Sequence, residues 1–232
     1  MSDGRPARGT GPDARPLPPT LALQRSLQRY RRLSPGIRAF VRARLLLAPL
    51  AEILGRLPSG GRILDVGCGH GLFANALALG SPTRVVVGVD PAPAKIVVAI
   101  ASAEGLPNVR FVRGTVEDLD ERDFDAIVIL DVLYLLRVER KLAVLRACRE
   151  RLATGGVLVL KTNDTRPRWK YRVAYLQERL MTGLGLTRGQ GLYFLSREQN
   201  AALLELAGFQ PKTVVLRSRL PYPHVLFLAR PA

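Results

Sequence analysis

The chain is poor in the residues that several protein classes require. Its 232 residues include 2 cysteines, Cys68 and Cys148, too few for a disulfide-stapled scaffold and in keeping with a reducing compartment. No apolar run reaches the roughly 18 residues of a membrane-spanning helix, and the first 20 residues hold no signal-type hydrophobic stretch. A cytoplasmic protein is expected. The 2 histidines, His70 and His224, stand far apart and no zinc-motif spacing occurs, so no metal site is expected. Lysine is scarce as well. Of 35 basic residues only Lys95, Lys141, Lys161, Lys170 and Lys212 are lysines, the rest arginine. No repeat is apparent.

What the chain does have is a glycine loop in an informative setting. Residues 63–74 read Ile-Leu-Asp-Val-Gly-Cys-Gly-His-Gly-Leu-Phe-Ala. An apolar run ends in Asp65, glycines follow at 67, 69 and 71, and a helical pattern starts at Leu72. Glycine has no Cβ and tolerates positive φ, so such a loop turns sharply and brings backbone N–H groups against a nucleotide-like ligand. The spacing is not the dinucleotide G-x-G-x-x-G, because the third glycine comes one residue early. It is not a P-loop either, since no Lys-Ser/Thr pair follows. A carboxylate at 65 suits a ligand carrying an ammonium and a sulfonium better than a pyrophosphate.

Downstream segments extend the pattern. The β-branched run 84–90 ends in Asp90, about 20 residues beyond the loop, where a Rossmann-type unit places the acceptor for ribose hydroxyls. Pro91 suits the start of the next helix. A third strand, 109–112, leads into Gly114-Thr115-Val116-Glu117-Asp118. A fourth, 124–130, ends at Asp131 and continues Val-Leu-Tyr134-Leu-Leu. A helix over 138–152, a Thr154-Gly155-Gly156 turn and a strand over 157–161 complete the set. In this order the segments resemble the motifs of the class I S-adenosylmethionine (SAM) dependent methyltransferases, firmly over 60–162 and loosely over 196–230. The family usually has an acid directly after the Gly114 position and Pro-Gly-Gly at the 154–156 turn, so this chain departs from it twice.

The resemblance implies an α/β fold: a doubly wound, seven-stranded Rossmann-like sheet whose C-terminal hairpin strand runs antiparallel. It implies SAM as cofactor, held by Asp65, Gly67, Cys68, Gly69, His70 and Gly71. Asp90 and Pro91 would lie at the ribose, and Thr115, Val116 and Glu117 at the adenine. Asp131 is the candidate for a general base or a contact to the cofactor amino group. Tyr134 is a catalytic or pocket-lining candidate. Cys68 reads rather as a small residue that packs in the loop, and His224 as structural.

Residues 1–20 are rich in Pro, Gly and Arg and read as a disordered basic tail. Residues 21–60 read as a helical extension interrupted at Ser34-Pro35-Gly36 and near Pro49. Residues 61–232 read as the catalytic domain, with 162–195 a substrate-side insertion. Ser196–Ala207 reads as a helix with Ser196 as N-cap and Gly208 as C-cap. Two strands, 213–217 and 224–229, follow.

The net charge of +16 is uneven. Residues 1–60 carry 11 basic and 3 acidic groups, 161–197 carry 8 and 2, and 61–160 are balanced at 12 each. The excess flanks the cofactor-binding body. It reads either as arginine-rich composition or as a rim for an anionic acceptor. Trp169 and Tyr171, interleaved with bases, are candidate substrate contacts. The leading reading is methyl transfer to a small-molecule or lipid-type acceptor, with peripheral membrane contact open. The alternatives are an RNA methyltransferase acting on ribose or a ring nitrogen, and a non-catalytic SAM-binding regulator. Asp131 is not set in the Asn/Asp-Pro-Pro-aromatic motif of amino-group methylation, and neither cysteine lies where pyrimidine C5 methylation needs one.

Overall fold

A computed structural model describes residues 15–183, 191–216 and 222–232. Seven strands form one sheet: β1 Gly61–Val66, β2 Arg84–Asp90, β3 Val109–Arg113, β4 Phe124–Leu130, β5 Leu152–Asn163, β6 Phe209–Val215 and β7 His224–Pro231. Their order is β3-β2-β1-β4-β5-β7-β6, with β7 antiparallel to both neighbours and the pairs from β3 to β5 parallel. The expected seven-stranded sheet with an antiparallel C-terminal strand is therefore present.

Alternation along the strands divides the core in two. Ile63, Val86, Ala126, Val128 and Val159 face one side, while Leu64, Val87, Ile127 and Leu158 face the other. Strands covered on both faces bury every side chain, which is why these segments read as near-continuous apolar runs. The first face is covered by α1 Pro19–Gln28, α2 Pro35–Leu47, α3 Leu50–Leu54 and α4 Leu72–Gly80. On the second, α6 Val138–Arg151 and α8 Arg197–Leu206 supply Val144, Leu145, Leu203 and Leu204. Between them in sequence come α5 Pro93–Ser102 and α7 Arg168–Gly183.

Several boundaries differ from expectation for local reasons. Of the tail expected over 1–20, residues 1–14 lie outside the described residues, and Pro19 already opens α1, a first-turn position that proline tolerates. The helical extension is three helices, broken at the two proline-bearing segments. Strand β5 starts before the Thr154-Gly155-Gly156 turn. Leu152 pairs with Phe124 and Val157 with Ala126, so residues 153–156 bulge out opposite Asp125. β6 begins at Phe209, whose ring is buried. As an edge strand it accepts Pro211 without losing a ladder bond, and its expected end at Arg217 lies outside the described residues. Ser196 caps α8 with a reciprocal bond pair to Gln199. No helix among the described residues is long and apolar enough to cross a membrane.

Candidate functional site

Strand order reverses between β1 and β4, and the crevice beyond their carboxyl ends is where open α/β sheets bind ligands. Here it holds a cavity of about 190 Å³. Its floor is Asp65 and the loop residues Gly67, Cys68, Gly69 and His70. One wall is Asp90, Pro91, Ala92 and Lys95, and the other Leu130, Asp131, Val132 and Leu135. Phe40, Val41 and Arg44 of α2 form the roof.

Backbone geometry sets the floor. Gly67 takes φ 73° and Gly69 φ 57°, in the left-handed region that glycine reaches without penalty. A Cβ on Gly67 would stand 2.3 Å from a Val132 methyl, whereas a Cβ on Gly69 would meet nothing within 4 Å. Gly69 thus borders open space. Its N–H donates to Asp90 Oδ2 at 3.0 Å, and the Ala92 N–H to Asp90 Oδ1 at 2.9 Å. Each Asp90 oxygen keeps acceptor capacity.

Asp65 is 2% exposed, and its Oδ2 has no hydrogen-bond partner. Burial pushes its carboxyl up to about 7, Arg44 pulls it down less strongly, and Asp90 adds to the rise. A buried carboxylate oxygen without a partner is costly unless a ligand supplies one. His70 also lines the cavity, with Nδ1 buried and without a partner and its ring edge-on to Phe40 at 5.0 Å. Burial pulls its pKa down to about 4, Lys95 adding to the fall, so the imidazole is neutral at pH 7. Burial pushes the Cys68 thiol up, so it is not a thiolate.

The setting of Asp131 bears on its two expected roles, general base and contact to the cofactor amino group. It sits at φ 59° with its carboxylate 2.5 Å from Lys161 Nζ and 3.5 Å from the Arg44 guanidinium. Burial alone would raise its pKa. Lys161 and then Arg44 outweigh that and hold the carboxyl below the usual carboxylate range. An ionised, already paired carboxylate is a weak base. It is better described as the anchor of a polar chain, since Lys161 also lies 3.5 Å from Asn163 Oδ1, which meets His224 Nδ1 at 2.9 Å. His224 Nε2 faces the Leu47 carbonyl at 3.0 Å. Burial pulls His224 down to about 4. A neutral ring donates from one nitrogen only, so His224 gives its proton either to the Leu47 carbonyl or to Asn163 Oδ1, according to the tautomer.

A second, smaller cavity of about 50 Å³ shares Phe40, Arg44 and Asp131 with the first and continues past Lys161, Asn163 and His224. Gln177 of α7 and Leu47 of α2 also line it. Sequence reasoning did not single out Phe40, Arg44, Lys161 or Asn163 as site residues. One signal was available: Lys161 directly follows the apolar run Val157–Leu160, and a lysine buried on a strand needs a partner.

Other expected residues lie elsewhere. Tyr134 is buried, stacked on Phe194 at 4.5 Å, and lines neither cavity. Trp169 is 57% exposed beside Lys170, and Tyr171 packs edge-on to Phe194 at 5.5 Å. Neither lines either of these two cavities. Val116 is a core residue. The Thr115 N–H and hydroxyl both donate to Asp118, and Glu117 pairs with Arg140 at 2.9 Å. None of residues 115–117 lines the crevice. Among the described residues no cluster fit to hold a metal ion occurs.

A family model described as a methyltransferase domain matches residues 37–214. A ubiquinone biosynthesis O-methyltransferase of Cereibacter sphaeroides is 34% identical over 164 residues, covering 69% of this chain and 65% of the relative. That of Xanthomonas campestris is 39% identical over 113 residues, 47% of this chain and 45% of the relative. The chain therefore spans less than two thirds of both these relatives. Among solved structures, the pyocyanin biosynthetic protein PhzM superposes with TM-score 0.70 at 20% identity, covering 90% of this chain and 62% of that one. Magnesium protoporphyrin IX methyltransferase from Synechocystis, solved with bound SAH, superposes with TM-score 0.61 at 20% identity, covering 90% and 94%. At such identities the structural likeness speaks for the fold.

Proposed function

The chain belongs to the class I SAM-dependent methyltransferases, and on that premise we propose that it methylates an oxygen of a small-molecule acceptor held in the second cavity. The observation that carries this reading is the Asp65 oxygen, buried at the cavity floor without a partner. It fits the ammonium of SAM, a charged hydrogen-bond donor that removes the cost of burying the carboxylate. Asp90 retains acceptor capacity for ribose hydroxyls, and the open space at Gly69 admits the ligand. When bound, SAM supplies a methyl group on a sulfonium, already activated toward in-line displacement.

The protein's own contribution is alignment and exclusion of water, which together are worth roughly 7–11 kcal/mol in well-oriented systems. Phe40 and Val41 close the crevice from above. Arg44 and Asp131 stand where the two cavities meet. Oxygen is favoured as acceptor atom by the relatives' names. In the wall of the second cavity Arg44 and Lys161 set two cations against the single Asp131 carboxylate, and this balance favours an acceptor hydroxyl that reacts as its anion, lowering the need for a separate base. Gln177, lining the same cavity, supports a substrate-side role for the 162–195 insertion.

Titration calorimetry with SAM, then methyl-transfer profiling on hydroxylated small molecules, tests the reading. Wild type is expected to bind SAM. Gly69→Val is expected to show no measurable binding, because its side chain enters the space left for the ligand and adds about 1–2 kcal/mol of left-handed backbone strain. Wild type that does not bind SAM overturns the reading.

A further inference from the structure

We propose that Tyr30, on the turn between α1 and α2, positions the glycine loop, so that a segment outside the sheet sets affinity for the methyl donor. The inference rests on the SAM reading above and goes beyond it by naming a residue that never enters the cavity. Tyr30 is 1% exposed, and its hydroxyl donates to the His70 carbonyl at 2.7 Å. Burial raises the phenol pKa, so the hydroxyl keeps its proton. Two further groups hold the phenol oxygen in place, Asn75 Nδ2 at 3.4 Å and Ser102 Oγ at 3.2 Å. They come from α4 and α5, so the brace ties the loop to both helices.

The brace acts where the chain is least constrained. His70 lies between Gly69 and Gly71, at φ 57° and 84°, and a peptide flanked by two such glycines has wide conformational freedom. The other loop bonds are made from within the body: Gly67 and Cys68 N–H to the Val89 carbonyl, Gly71 N–H to Cys68, and Gly69 N–H to Asp90. Tyr30 fixes the next peptide. Beside that peptide stand the His70 ring, which lines the cavity edge-on to Phe40, and the Gly69 N–H, which donates to Asp90. Nearby, Arg29 grips the Ser102 and Glu104 carbonyls, and Ser26 donates to the Leu72 carbonyl at 2.7 Å. These contacts dock α1 and the residue after it on α4, α5 and the turn that follows α5, without touching residues 65–71.

Tyr30→Phe keeps the ring and removes the donor. Its dissociation constant for SAM is expected to rise about fivefold to tenfold, the worth of one hydrogen bond. KM for SAM should rise in parallel, with kcat at saturating SAM and KM for the acceptor unchanged. Ser26→Ala, which loses a docking bond outside the loop, should bind SAM as wild type does. Without ligand, amide exchange at residues 69–71 should accelerate in Tyr30→Phe and not in Ser26→Ala. Wild-type SAM affinity or wild-type loop exchange in Tyr30→Phe overturns the proposal, as does equal loss in both variants. Failure of wild type to bind SAM overturns the underlying cofactor reading instead.

Discussion

Asp65→Asn is expected to weaken SAM binding by about thirtyfold to a hundredfold, the range of one strong charged hydrogen bond, while raising the stability of the ligand-free protein at pH 8. The opposite signs have one origin. The Asp65 carboxyl titrates at 3.8 in an ordinary setting and at about 7 in the fold. A raised folded pKa means that the group favours folding below pH 3.8, and that this benefit is lost as pH rises through 7. Above 7 the protein carries the whole cost of a buried carboxylate, at most about 4 kcal/mol for a shift of this size. Asparagine carries no charge and escapes it. Urea melts should therefore separate the two proteins at pH 8 and bring them together near pH 4.

Binding runs the other way. The ammonium of SAM selects the ionised carboxylate, so wild-type affinity should fall by up to about tenfold per unit as pH drops below 7, with proton release on binding at pH 6. Asp65→Asn should lack both the slope and the proton release. Unchanged SAM affinity, or no stability gain at pH 8, would sink this account of Asp65.

Lys161→Met is expected to cost about 3–5 kcal/mol of stability, because it strips the nearest cation from a buried carboxylate. The Arg44 guanidinium, farther away at 3.5 Å, keeps the loss toward the lower figure. The Asp131 carboxyl is held below its ordinary range in the fold. Its favourable contribution is thus present above the unfolded pKa and disappears as pH falls through the folded one. The variant's deficit should shrink in acid accordingly. Adding Asp131→Asn removes the orphaned charge, so the double variant should recover much of the loss in a denaturant titration. A double variant no more stable than Lys161→Met alone would refute the pairing as the cause.

Much of the fold is legible in the sequence because both of its signals are local. Fully buried strands appear as β-branched runs, and strands β2 and β4 keep the expected ends at Asp90 and Leu130. The glycine loop is equally local: Asp65, Gly67 and Gly69 meet at one floor because they are neighbours along the chain. What the sequence hides is made between distant segments. Arg44 reaches the Leu130 carbonyl and Asp131 from a helix 86 residues earlier, and no periodicity announces that reach. Tyr134 follows the fourth strand as expected, yet packing against Phe194 turns it into the core. At the expected adenine loop, Thr115 and Asp118 form their own local cap, a competition that side-chain type alone does not decide.

The register that sets Asn163 opposite His224 bears on how the two cavities come into being. The floor and one wall of the first are drawn from residues 65–95, so short loop closures assemble them. The second waits for the chain's far end. His224 meets Leu47 across 177 residues, and such distant closure consumes the most chain entropy before any contact rewards it. During synthesis the groups that grip the methyl donor are all made before the strand that completes the acceptor wall. The two halves of the site therefore differ in folding order as well as in chemistry.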